Sequence, residues 1–215
     1  MRYYPIYLDL KGRDVLVVGG GAVAEGKALQ LVEAGARVTV VSPELTETLR
    51  EAAGRNEVVY LNGSFTEENL NGMFLVISAT NDRKTNERVA HAAAERGLLC
   101  NVVDQPDLCN FITPALVTRG KLQISVSTGG ASPTLTQRVK REVAALIGDE
   151  YGTLLELAAE MRAEAKSRIA DFERRKDALR AFVESGAIDL IRAGRIDDAR
   201  ALARRFLQDA EKEGK

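Results

Sequence analysis

Histidine is almost missing from this chain: His91 is the single copy among 215 residues, beside two cysteines and no tryptophan. A zinc centre of His and Cys ligands is therefore not expected, and no metal ligands are assigned. Hydrolysis by a Ser-His-Asp triad is equally unexpected, because His91 has no nucleophile-elbow motif to serve. Cys100 and Cys109 make no C-x-x-C pair and suggest no disulfide framework, in keeping with a reduced, cytoplasmic protein. An excess of charge is missing too. Lysine and arginine number 30 against 31 acids, so no nucleic-acid surface is expected. The longest apolar run, around the glycines at 19–21, is about half of the roughly 20 residues that a membrane span requires, and no membrane partner is expected. Met1–Pro5 lacks the apolar core of a signal peptide. Chemistry is left to a cofactor, to carboxylates and to backbone dipoles.

What the chain does contain is a glycine turn. Residues 15–24 read Val-Leu-Val-Val-Gly-Gly-Gly-Ala-Val-Ala, a buried strand turning sharply into a helix. Gly19, Gly21 and Ala24 fill the three positions of a G-x-G-x-x-A dinucleotide fingerprint. Gly19 permits the tight turn, Gly21 lets a pyrophosphate approach the backbone, and Ala24 keeps the helix near the sheet. The helix start, with Ala22 and Val23, offers free N–H groups and a partial positive charge to phosphates.

Alternation organises the first 113 residues. Strands are expected at 14–18, 37–41, 57–61, 73–78 and 99–103, and helices at 22–34, 45–53 and 82–96, with a short turn near 66–70. This order implies an α/β, Rossmann-like, doubly wound parallel sheet with right-handed crossovers. Asp82 suits an N-cap, and Gly35 and Gly97 suit helix C-caps. After Pro114 the pattern changes. Phe111–Val117 and Leu122–Ser127 read as two strands joined by the turn Thr118-Arg119-Gly120-Lys121. Ser132 and Pro133 then open a helix carrying Leu135, Val139, Val143 and Leu146 on one face. Two strands and a helix are too few to bury a core of their own, so this block is expected to pair with a second subunit. From Tyr151 onward the chain reads as helical: Leu154, Ala158, Met161, Ala165, Ile169 and Phe172 share one stripe, and Ile196, Ala199, Ala203 and Phe206 another. The expected division is residues 1–113 for the cofactor, 114–148 as a β-β-α dimerisation block and 149–215 as a C-terminal helical domain.

Ligands of doubly wound sheets bind beyond the carboxyl ends of the strands, so the residues after each strand are the site candidates. After the second come Ser42, Pro43 and Glu44, where an acid often holds the adenosine ribose. Ser42 holds the strand end itself and Glu44 lies two residues on, while no arginine is placed for a 2′-phosphate. NAD is preferred to NADP on that ground. After the fourth strand, Ser78-Ala79-Thr80-Asn81 suits the nicotinamide ribose, with Thr80 and Asn81 as cofactor contacts. After the fifth, Asn101 is a candidate substrate contact and Asp104 faces the crevice of the nicotinamide ring. There Asp104 can take the proton that leaves with a hydride; as a turn residue before Pro106 it would need no such role. Thr128, Gly129, Gly130 and Ser132 precede a capped helix, where backbone N–H groups can hold the carboxylates of a substrate.

Taken in order, these blocks resemble the precorrin-2 dehydrogenase / sirohydrochlorin ferrochelatase family, in a stand-alone form of the N-terminal module of siroheme synthase. The stretches that carry the resemblance are Tyr4-Pro5-Ile6-Tyr7-Leu8, Val17–Ala24, Glu33–Ala36, Ser78–Asp82, Cys100–Asp104 and Ser127–Pro133, all within residues 3–147. The resemblance implies oxidation of precorrin-2, a tetrapyrrole bearing many carboxylates, to sirohydrochlorin with NAD. In bifunctional members Fe²⁺ insertion to give siroheme follows. It also implies an essential aspartate at Asp104 and an intertwined homodimer. One position departs: Thr128 stands where some siroheme synthases carry a modified serine. The rival reading is a non-catalytic, NAD-sensing regulatory domain, which accounts for the glycine turn but not for Asn101–Asp104 or Gly129–Pro133.

Overall fold

Five apolar runs become five parallel strands: β1 (Asp14–Val18), β2 (Arg37–Ser42), β3 (Val58–Asn62), β4 (Leu75–Ser78) and β5 (Leu99–Val102). The computed structural model describes residues 3–212, and the chain divides between Thr113 and Pro114 into two compact units. In the first unit the strands lie in the order β3-β2-β1-β4-β5, so the connection from β3 crosses to the far side of β1. Parallel strands covered on both faces need apolar side chains on both, which is why the central β1 and β4 carry the apolar runs Val15–Val18 and Leu75–Ile77, whereas the edge strand β3 leaves Val59 and Leu61 exposed. Val15, Val17, Val38 and Val40 pack under α1 (Ala22–Glu33) and α2 (Glu47–Gly54). Leu16, Val18 and Val76 pack on the other face with Val89 and Ala93 of α3 (Arg83–Glu95). Asp82 caps α3 by accepting from the Lys84 and Thr85 amides, and Gly35 and Gly97 follow their helices at φ +81° and +65°.

The register sets the site. Val18 lies beside Val41 on one side and Ser78 on the other, and Ser78 beside Val102. The turns after β1, β2, β4 and β5 therefore start at one level along one sheet edge.

The second unit holds the antiparallel hairpin β6 (Ala115–Arg119) and β7 (Leu122–Val126), then α4 (Pro133–Leu146), α5 (Glu150–Arg168), α6 (Phe172–Val183), α7 (Ala187–Arg192) and α8 (Ile196–Lys212). Arg119 pairs with Leu122, so the turn has two residues, Gly120 and Lys121, rather than the expected four. Gly120 at φ +55° makes so tight a turn accessible. The hairpin begins at Ala115 rather than Phe111, since the Phe111 carbonyl is taken by Asn101 Nδ2 and Pro114 has no N–H for a ladder. Arg119 ties the hairpin to the last turn of α4: its guanidinium donates to the Ile147 and Ala144 carbonyls. A cation there also suits the negative end of the helix dipole.

The expected long helix stops early. Helix α5 ends at Arg168 with Ile169 as its C-cap, and Phe172, placed on the same stripe by its spacing, opens α6 and is 64 % exposed. Asp171 is the cause, its carboxylate accepting from the Arg174 amide to start a new helix. Leu154, Leu157, Met161, Ala165, Phe182, Ile191, Ala199, Ala203 and Leu207 form the core of this helical part. Phe206 is only partly buried, and Leu207 takes the inner place.

Candidate functional site

Three consecutive glycines shape the turn after β1, each for its own reason. A Cβ on Gly19, at φ +118°, would collide with the Ala79 carbonyl of the turn after β4. A Cβ on Gly20 would collide with the Glu44 carbonyl of the turn after β2. Gly21 faces open space, with no atom within 4 Å of the place a Cβ would occupy. Neighbouring turns thus clamp the first two glycines and leave the third bare. Gly21 is also the N-cap of α1, and no side chain caps the helix there. The amides of the first turn, beginning with Ala22 and Val23, have no intrahelical acceptors, and such a helix start is an anion site. Ala24 and Ala28 are fully buried against the sheet, so α1 lies close to it.

On one flank of this turn, Ser42 is buried at the end of β2, with Pro43 and Glu44 exposed beyond it. The Ser42 carbonyl accepts from Tyr60 Oη and the Gly63 amide, at 3.0 and 3.2 Å. Sequence reasoning gave this flank no arginine. The structure brings Arg50 beside it, donating to the Leu45 carbonyl at 3.1 Å and paired with Glu47. On the other flank Ala79, Thr80 and Asn81 follow β4, with the Ala79 amide bonded to the Val18 carbonyl. Thr80 is half-buried and Asn81 exposed.

Beyond β5 the backbone turns through Val102-Val103-Asp104-Gln105, closed by a bond from the Gln105 amide to the Val102 carbonyl at 3.2 Å. Asp104 occupies the left-handed region at φ +59°, which non-glycine residues seldom enter. Its carboxylate is exposed. Cys109 braces the turn: Sγ accepts from the Val102 amide at 3.1 Å and lies 3.2 and 3.3 Å from the Val102 and Gln105 carbonyls. Burial pushes the neighbouring Cys100 thiol up to about 12, with Cys109 adding to the shift, so Cys100 stays a protonated core residue. Asn101 is buried with Nδ2 bonded to the Phe111 carbonyl. Lys27 on α1 is a further polar group of this unit, donating to Thr113 Oγ1 at 3.0 Å, with burial lowering its pKa.

Gly19, Gly21, Ala22, Val23, Ser42, Thr80 and Asp104 thus share one edge of the sheet. Sequence reasoning missed Gly20 and Lys27, which meet Glu44 and Thr113 far along the chain, and Cys109 and the buried Asn86, whose partners four to eight residues away are reached only through turns. His91 lies exposed on α3 within 3.5 Å of Glu95. Thr128, Gly129, Gly130 and Ser132 belong to the second unit. There Gly129 donates to Ser127 Oγ, Ser132 to Thr128 Oγ1, and Ser132 Oγ caps the Leu135 amide. Two of the backbone donors counted toward a substrate, those of Gly129 and Ser132, are thus already bonded within the chain. Among the described residues, no group of three or more His, Cys, Asp or Glu is placed to hold a metal ion, and no helix is long and apolar enough to cross a membrane.

Three family models match the chain in succession: "Putative NAD(P)-binding" over residues 6–115, "Sirohaem biosynthesis protein central" over 119–146, and "Sirohaem synthase dimerisation region" over 150–207. The chain belongs to the NAD(P)-binding family whose model spans residues 6–115, and its later segments are similar to the two sirohaem models. The chain is similar to the siroheme synthases of Nitrosococcus oceani, 39% identical over 93% of this chain and 42% of its own length, and of Thioalkalivibrio sulfidiphilus, 39% identical over 97% and 42%. That of Photorhabdus laumondii is 35% identical over 100% of this chain and 46% of its own. The chain thus spans under half the length of these curated relatives. Among solved structures, "SirC, precorrin-2 dehydrogenase" matches 98% of this chain and 100% of its own, with a TM-score of 0.80 at 29% identity. The dimerisation model falls on 150–207, whereas the sequence reading placed the subunit contact on 111–147.

Proposed function

We propose that this chain oxidises precorrin-2 to sirohydrochlorin, with NAD as hydride acceptor and Asp104 as proton acceptor. The observation that carries the reading is the Asp104 turn: an exposed carboxylate, held left-handed at the same sheet edge as an uncapped glycine turn. Likeness along the whole chain to a precorrin-2 dehydrogenase supports it.

The residues present fit a dinucleotide. Gly21 leaves bare backbone where a pyrophosphate would lie, and the Ala22 and Val23 amides would hold it. Ser42, Pro43 and Glu44 would take the adenosine ribose, with Glu44 favouring a free 2′-hydroxyl over a phosphate, and Thr80 and Asn81 the nicotinamide ribose. The bound nicotinamide would supply the hydride acceptor. Oxidation releases a hydride and a proton from the substrate, and Asp104 takes the proton. No histidine lies near in the chain to compete for that role. Asn101 holds the Phe111 segment against β5, and the Thr128–Ser132 turn is the candidate seat of substrate carboxylates.

The chain is proposed to act as a cytoplasmic homodimer. Helix α4 buries none of its residues, and Leu135 and Leu146 are 50 % and 73 % exposed, so the hairpin and α4 are the proposed contact face. The match of residues 150–207 to a dimerisation region supports the dimer itself.

The decisive experiment follows absorbance after mixing the protein with precorrin-2 and NAD or NADP, with and without Fe²⁺. Sirohydrochlorin formed with NAD supports the reading, and siroheme formed when Fe²⁺ is added assigns the chelatase step as well. Cofactor binding without turnover would favour the sensing domain instead. Asp104→Asn keeps size and hydrogen bonding but not basicity. It is expected to slow dehydrogenation at least about a hundredfold, with NAD affinity within about twofold of native. An Asn variant turning over at the native rate would reduce Asp104 to a turn residue.

A further inference from the structure

Helix α3 turns Val89, Ala92 and Ala93 toward the sheet, and with them a carboxamide, Asn86, only 1 % exposed. Burying an amide is costly unless every polar atom is bonded. Asn86 meets that condition with the turn after β4. Its Nδ2 donates to the Thr80 carbonyl at 3.1 Å, and its Oδ1 accepts from Ser78 Oγ and Thr80 Oγ1, both at 2.8 Å. A carbonyl can only accept, so Nδ2 must face Thr80 O, and Oδ1 must then face the two hydroxyls.

That orientation reaches Thr80. Its hydroxyl has one proton, and its shorter contact is Asn86 Oδ1 rather than the Asp82 carbonyl at 3.1 Å. With the proton so directed, Thr80 Oγ1 has two lone pairs to offer. One accepts the Asp82 amide at 3.2 Å, and the other is left for a donor at the half-buried edge. Displacement of this turn would also reach the glycine turn, since the Ala79 carbonyl fits only because Gly19 has no Cβ.

We infer that Asn86 is a positioning residue: it holds the 78–82 turn and fixes Thr80 as an acceptor for a ribose hydroxyl. Asn86 thereby sets cofactor affinity without touching the cofactor. The inference rests on the cofactor reading of Thr80 given above.

Calorimetric titration of the full chain with NAD, and separately with NADP, tests it alongside melting temperatures. Asn86→Asp keeps the acceptors but sets an oxygen against the Thr80 carbonyl, and is expected to weaken NAD binding about tenfold. Thr80→Val is expected to weaken it about fivefold, and Thr80→Ser to restore it within about twofold. Because Asn86 acts through Thr80, the double variant Asn86→Asp/Thr80→Val should lose less than the product of the single losses. Multiplicative losses would overturn the inference, as would a folded Asn86→Asp chain with native NAD affinity and only a lower melting temperature. If Asn86→Asp does not fold, Thr80→Val decides, and native affinity there overturns the inference. A native chain binding neither nucleotide would instead overturn the cofactor reading. Amide exchange over Ala79–Asp82 then judges the positioning role: faster exchange in Asn86→Asp upholds it, and unchanged exchange ends it.

Discussion

Helices α1 and α4 both begin at glycine turns, yet they begin in opposite ways. Helix α1 has a glycine N-cap with no side-chain bond, and it buries Ala24, Ala28 and Leu31. Helix α4 is capped by Ser132, has Pro133 in its first turn, and buries nothing. Around it Thr128 Oγ1 accepts from the Ser132 amide and lies 2.9 Å from Thr136 Oγ1. An isolated helix of that length is marginal in water, so each must be held by something other than its own hydrogen bonds. For α1 that support is the sheet, which frees the N-terminus from stabilising the helix. For α4 the cap supplies part of it and a covering surface must supply the rest. Of the two glycine turns, only the one before α1 leaves its helix start without a side-chain cap.

The sharpest way to break this comparison is Gly21→Val. The backbone there, at φ −81° and ψ −179°, accepts any residue, and the space for a side chain is empty. The variant should fold, and its NAD affinity should fall at least about a hundredfold, about 2.7 kcal/mol, by calorimetric titration. Native affinity in a folded variant would mean that the open helix start holds no phosphate. Next in size is the α4 face. The pair Leu135→Glu/Leu146→Glu should weaken self-association at least about tenfold, read by light scattering across a concentration series. A double variant as dimeric as the native chain would move the contact to residues 150–207. The smallest effect concerns the closed helix start. Ser132→Ala removes a cap and should lower stability by about 1 kcal/mol while leaving NAD affinity unchanged. A large loss of NAD affinity in that variant would show that the two starts are not independent.

Where buried side chains decide structure, the order of residues is readable. Val15, Leu16 and Val17 are fully buried, and the expected strand 14–18 is β1 to the residue. The glycine turn and Asp104 were readable for the same reason, because strand ends locate the sheet edge. What escaped was decided by partners far apart in sequence or by polar competition. Asp171 opens a new helix inside a stripe whose spacing favoured one continuous helix. Asn101 takes the Phe111 carbonyl out of strand pairing from ten residues away. Cys109 holds the Asp104 turn across seven residues, and nothing in the spacing of Cys100 and Cys109 announces it. Asn86 reads as one polar residue among several on α3 until the turn after β4 is placed above it.

The clamped glycines have a consequence for kinetics. Glycine gives up more conformational freedom on folding than any other residue. Gly19 and Gly20 give it up in the native fold itself, where the Gly19 amide donates to the Val41 carbonyl and the Gly20 carbonyl accepts from the Thr46 amide, both at 2.9 Å. The loop is thus a finished mould rather than one shaped by its guest, and the rate of nucleotide capture should be set by encounter and orientation, with no slow loop-ordering phase.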